Sequence, residues 1–143
     1  MKKAMAGVLA AGAFLLSAGT ALGTPGWHGV STIEGSGVRF HSGEYRFNPA
    51  HQNHGAFEWR GKLEDADKKD GHNVYMQVRI EGHGWVRYNG KQNTTVALHQ
   101  SNWDGAQLYT SHAYMRACRD KGSLQPDNCS PTVHFVNPKA LKG

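Results

Sequence analysis

Histidines, cysteines and tryptophans are the side chains of this sequence with the most chemistry to offer. There are nine histidines, two cysteines and four tryptophans. His51 and His54 stand three apart in the polar stretch 48–55. Two imidazoles at that spacing can share a metal ion, but zinc takes four ligands and no third partner is evident, so surface histidines without metal are expected. His41, His99, His112 and His134 fall on expected strands, and their convergence would add surface charge near pH 6. Asp65-Ala66-Asp67-Lys68-Lys69-Asp70-Gly71 offers oxygen ligands at alternate positions and a glycine, as a calcium loop does. Lys69 stands where that pattern wants Asp or Asn, no bidentate glutamate follows, and the lysines oppose a cation. A plain turn is expected, with no metal and no cofactor.

Cys118 and Cys129 read as one structural disulfide, because an even cysteine count in a secreted chain pairs off. The loop between them carries Gly122, Pro126 and Asp127-Asn128, all turn residues. A redox pair would normally be Cys-x-x-Cys. No serine lies in a nucleophile elbow, and no two of Glu44, Glu58, Glu64 and Glu81 stand out as an acid/base pair. The expectation is a chain that is not an enzyme. Trp59 belongs to a strand and to the core. Trp27 lies in a glycine-rich stretch, Trp85 follows Gly82-His83-Gly84, and Trp103 sits in the turn Asn102-Trp103-Asp104-Gly105. An exposed loop tryptophan suits a sugar ring or a partner protein, so Trp27 and Trp103 are candidate contacts; the alternative is that both rings tuck back over the end of the sandwich.

These side chains need elements to hold them. Residues 1–23 have the layout of a cleaved secretory signal peptide: Lys2 and Lys3, an apolar run through Ala18, then Ala21-Leu22-Gly23. The run is too short to span a membrane. The working protein is therefore expected at residues 24–143, secreted and extracellular. Removal of Lys2 and Lys3 lowers the formal charge from +5 to +3. That charge is scattered rather than gathered in a stripe, which argues against nucleic acid as a partner.

Residues 24–37, with Gly26, Gly29, Gly35 and Gly37, read as a flexible arm with room for a short strand at its end. Val30 and Ile33 within it suit addition of a strand to a partner's sheet edge. From Val38 onward short alternating segments follow. Val38-Arg39-Phe40-His41 and Glu44-Tyr45-Arg46-Phe47 flank Ser42-Gly43, read as a hairpin turn. Phe57, Trp59, Gly61 and Leu63 share one face, as do Val74, Met76, Val78 and Ile80. Further strands are expected at 85–88, 94–99, 108–118 and 132–136. No segment after residue 23 shows a helical period. Seven to nine short strands separated by Gly and Asn turns predict an all-β domain, a single antiparallel β-sandwich over residues 38–138 with one disulfide and a frayed tail at 139–143. Strand order, whether immunoglobulin-like or jelly roll, stays open.

Two stretches carry a family resemblance. One runs from Gly61-Lys62-Leu63 through Asp70-Gly71-His72-Asn73-Val74-Tyr75-Met76-Gln77-Val78-Arg79 to Gly84-Trp85-Val86-Arg87-Tyr88. The other is Tyr114-Met115-Arg116-Ala117-Cys118-Arg119-Asp120 with Pro126-Asp127-Asn128-Cys129. Together with the alanine-rich leader, they resemble small secreted β-sandwich proteins of filamentous actinobacteria. Some of those are adaptor subunits of umbrella toxin particles, joining a lectin subunit to a toxin-bearing core subunit. The resemblance implies a sandwich fold and, as partners, other secreted proteins such as those lectin and core subunits.

The function expected is a secreted, non-catalytic protein-binding module, with Trp27, Val30, Ile33 and Trp103 as candidate partner contacts. The alternative is a carbohydrate-binding module that stacks glycan on Trp27, Trp85 or Trp103. A small secreted hydrolase ranks below both. A free-standing antimicrobial protein ranks last, since the charge is low for membrane disruption and no amphipathic cationic helix is present.

Overall fold

Alternation builds this molecule. The computed structural model describes residues 26–141, so the expected signal peptide at 1–23, Thr24, Pro25 and the last two residues lie outside it. Its strands are β1 (His28–Val30), β2 (Ile33–Gly35), β3 (Val38–Phe47), β4 (Phe57–Asp65), β5 (Asn73–Ile80), β6 (Val86–Asn89), β7 (Thr95–Asn102), β8 (His112–Asp120), β9 (Asn128–Cys129) and β10 (Val133–Val136). They form two antiparallel sheets. Sheet A has the order β1-β3-β4-β7 with β2 also paired to β3, and sheet B the order β10-β8-β5-β6 with β9 also paired to β8. The expected all-β sandwich is the fold observed. The strand count exceeds the expected range because β1, β2 and β9 are only two or three residues long.

The inward set of β4 (Phe57, Trp59, Leu63) meets those of β5 (Val74, Met76, Val78, Ile80) and β8 (Ala113, Met115, Ala117) in one core. Each large member contributes about 1.5–3 kcal/mol by leaving water. Gly61 occupies an inward position because the Phe40 ring fills its place, and a Cβ there would strike that ring. The other side of Phe40 lies against Gly43, where a Cβ would come within 2.6 Å of the ring.

That packing corrects the expected hairpin at Ser42-Gly43. β3 is one continuous strand, with its register against β4 shifted between His41 and Glu44. Ser42 takes a φ of 55°, a bulge geometry. Both halves of β3 find partners on β4, so strand pairing overrides the local turn signal.

The flexible arm is corrected as well, except for the short strand expected at its end, which is β2. From residue 28 it belongs to the sheet: His28 pairs with Tyr45, Val30 with Gly43, Ile33 with Phe40 and Gly35 with Val38. The edge of β3 offers unmet N–H and C=O groups, and these hold segments too short to show a period. Gly37, at φ 80°, makes the turn from β2 into β3. The tail differs too: Pro138–Leu141 forms a 3-10 turn, with the Ala140 N–H on the Asn137 carbonyl at 2.8 Å. The strand expected at 108–118 begins only at His112, because residues 108–110 fold against the 48–55 loop.

Cys118 and Cys129 are bonded and are register partners of β8 and β9. A bridge closing so short a loop stabilises by roughly 3 kcal/mol in the loop-entropy model. Among the described residues, no helix is long and apolar enough to cross a membrane.

Candidate functional site

The loop before β4 is tightly wound. The Asn48 N–H reaches the Ala56 carbonyl at 2.9 Å, Gly55 bonds Gln52 at 2.8 Å, and Ala56 bonds Asn53 at 2.9 Å. Asn53 and His54 both take positive φ, 44° and 57°, a conformation that costs a non-glycine residue and persists only where its surroundings enforce it. Gly55 lies so close under the Leu108 carbonyl that no side chain would fit, and its own carbonyl accepts the Thr110 N–H at 2.8 Å. Two loops are thereby locked together.

The lock presents His54 to Trp103, and the rings stack at 4.2 Å with 11° between planes. Trp103 stays 44% exposed and Leu108 77%. Between them, with Ala50, Asp104 and Gln107, lies a concavity of about 170 Å³. Trp103 also borders a hollow of about 90 Å³ with His83, Gly84 and Val86. The Asp104 carboxylate accepts the Ala106 N–H at 2.8 Å and pairs with His83 at 3.3 Å. The Ala106 N–H, then His83, hold its pKa below the usual carboxylate range.

The other expected contacts fare differently. Trp27 is only 7% exposed and Ile33 3%, while Val30 is half-buried against the core. Their expected availability to a partner is corrected: the strands that carry them are part of sheet A. Trp27 lies on the outer face of that sheet, with the Arg60 and Arg46 guanidiniums 3.9 and 4.5 Å from its ring centroid. Beneath it Glu58 accepts from Arg46 at 2.9 Å, Asn48 at 3.1 Å and His99 at 2.6 Å. Burial pushes the Glu58 carboxyl up, but His99, Asn48 and Arg46 outweigh it and bring its pKa down to about 2. A carboxylate held so firmly ionised does not exchange protons near neutrality. Arg60 in turn bonds Glu44 at 2.7 Å.

Sequence reasoning did not foresee the grouping of Ser42, His41 and Glu64. The Ser42 hydroxyl lies 3.0 Å from His41 Nδ1, and His41 Nε2 lies 3.6 Å from Glu64. The second distance exceeds a hydrogen bond, and Glu64 is drawn instead to Arg39 at 3.1 Å. The base therefore lacks the orienting bond a nucleophilic triad needs.

His51 is exposed, and His54 is engaged with Trp103. In the 65–71 turn the carboxylates bind the chain itself. Asp65 accepts the Asn93 N–H at 2.8 Å; Asp70 accepts the His72 N–H at 2.8 Å and Arg119 at 2.9 Å. Burial raises the Asp70 pKa, but the His72 N–H and Arg119 outweigh it and hold it below the ordinary value. Of the strand histidines, His112 and His134 do meet, on sheet B. The chain matches no protein-family model, no curated protein and no solved structure.

Proposed function

We propose that this protein is a secreted, non-catalytic protein-binding module that docks through Trp103 and joins larger secreted components as an adaptor. One observation carries the reading: a stacked, half-exposed tryptophan on locked loops, beside a largely exposed leucine. Aromatic anchors dominate binding energy where they fill a partner's pocket. Loops already ordered lose little entropy on association, so more of the contact energy appears as affinity. The resemblance to umbrella-toxin adaptors supports the same reading and names lectin and core subunits as the partners to look for.

The test is affinity purification of the tagged protein from its producer's culture medium, with mass spectrometry and size-exclusion chromatography, beside a Trp103→Ala variant. Co-purification of larger secreted proteins in constant ratio, lost in the variant, is the expected result. A lone monomer from both forms overturns the adaptor reading. Glycan-array binding that disappears with Trp103→Ala would replace it with the carbohydrate-binding alternative.

A further inference from the structure

The outer face of sheet B brings together planar side chains from three strands. Arg79 on β5 pairs in register with Tyr114 on β8, which pairs with His134 on β10; Arg116 on β8 pairs with Gln77 on β5. These groups stack in a row. The Arg79 guanidinium lies 4.1 Å from the Tyr114 ring centroid. Tyr114 stacks on His134 at 4.5 Å and 9°, and His134 Nε2 lies 3.0 Å from His112 Nδ1. At the other end Arg116 lies 4.2 Å and Arg79 5.3 Å from the Trp85 ring centroid.

Among the described residues, neither Arg79 nor Arg116 is paired with a carboxylate; Arg116 donates to the neutral Gln77 amide at 2.8 Å. Carboxylates flanking the row are engaged elsewhere. Glu81 accepts the His112 N–H at 2.7 Å, and Asp120 pairs with Arg87 at 2.7 Å. Both arginines are half-buried residues whose guanidiniums lie against aromatic rings. Partial removal from water strengthens what each would gain from an incoming anion.

We propose that this row is a binding site for an extended acidic segment of a partner protein, with two of its carboxylates seated on Arg79 and Arg116. The site is separate from the Trp103 platform and does not depend on it. Three features select the ligand. The faces of Tyr114 are already covered, by Arg79 and by His134, so stacking of a sugar or a base is disfavoured and the N–H edges are left to do the recognition. The outward positions of β5, β8 and β10 carry no lysine. With Arg87 of β6 already paired to Asp120, two guanidinium forks without a carboxylate suit two oriented carboxylates better than a densely charged polymer, which is held by many basic groups. Arg79 and Arg116 are diagonal cross-strand neighbours, about 7–8 Å apart at the backbone. Side chains on one face of an extended peptide repeat at nearly that distance, about 6.6 Å.

The test is fluorescence anisotropy of the purified protein with a labelled peptide carrying glutamate at every second position. A glutamine version of the peptide and heparin serve as comparison probes. Binding of the glutamate peptide alone is expected, weakened about tenfold or more by Arg79→Gln or Arg116→Gln. Arg79→Lys with Arg116→Lys keeps the charge, removes the fork and should also weaken it. Circular dichroism confirms that each variant is folded before its binding is read. Glutamate-peptide binding unchanged in the glutamine variants overturns the site. Full binding by the lysine pair overturns the seating on forks. Heparin binding without peptide binding overturns the class of partner, and no binding of any probe overturns the proposal whole.

Discussion

The two sheets turn outward the same ingredients and settle them in opposite ways. On sheet A, Arg46 and Arg60 lie against Trp27, and each also meets a carboxylate, Glu58 or Glu44. On sheet B, Arg79 and Arg116 lie against Trp85 and Tyr114, and no carboxylate joins them among the described residues. The first arrangement closes its electrostatics within the chain, and its tryptophan is buried. The second leaves positive charge held in place with its counter-charge to come from outside. An arginine–aromatic cluster is thus not by itself a sign of binding; the presence or absence of a built-in acid separates structure from recognition.

If sheet A's cluster is structural, breaking it should cost stability. Trp27→Ala removes a nearly buried indole and should destabilise by about 3–5 kcal/mol, against about 1 kcal/mol for Trp85→Ala, whose ring belongs to a partly exposed residue. Urea unfolding of both variants measures the contrast, and equal losses would erase it. Glu58→Gln comes next, at about 2 kcal/mol, because charge-assisted bonds from Arg46 and His99 are weakened together. Its pH dependence is directional. The Glu58 pKa falls from an ordinary 4.5 to about 2 on folding, so its contribution is fully present above pH 4.5 and drains as pH drops toward 2. The Glu58→Gln protein should lose less stability over that window than the wild type. Parallel curves would show that Glu58 is not the group responsible.

Much of this architecture was legible in the residues, and the failures have physical causes. Phe57, Trp59 and Leu63, or Val74, Met76, Val78 and Ile80, show a period of two long enough to identify a half-buried strand. Trp103 was legible because Asn, Asp and Gly around it spell a turn. Strands of three residues have no measurable period, so β1 and β2 read as an arm, and Trp27 read as a candidate contact because the Arg46 and Arg60 that cover it come from other strands. Ser42-Gly43 carries the same signal as a hairpin; that it is a bulge depends on Phe40 needing the space above Gly43 and Gly61. The row on sheet B was hidden for a different reason. Arg79, Tyr114 and His134 are far apart in sequence and become neighbours only when β5, β8 and β10 are known to lie side by side.

Smaller effects probe sheet B. Arg79→Gln and Arg116→Gln should each change stability by no more than about 0.5–1 kcal/mol, the scale of an exposed cation–π contact, while Arg46→Gln, which loses its bond to Glu58, should cost about twice that. Unfolding curves for the three variants decide this. A loss from Arg116→Gln as large as that from Arg46→Gln would make sheet B's row structural after all.

The smallest change in stability makes the sharpest distinction. Gln77 already accepts a bond from Arg116 at 2.8 Å, so Gln77→Glu would supply the acid that Arg116 lacks at nearly unchanged geometry. A half-exposed ion pair of this kind should add only about 0.5 kcal/mol. Its effect on recognition should be far larger, because the new carboxylate neutralises Arg116 from within and repels the acidic ligand. Gln77→Glu is therefore expected to melt at or slightly above the wild-type temperature while losing the glutamate peptide about tenfold. Retention of full peptide affinity in a stably folded Gln77→Glu protein would mean that the charge left open on sheet B is not what the ligand reads.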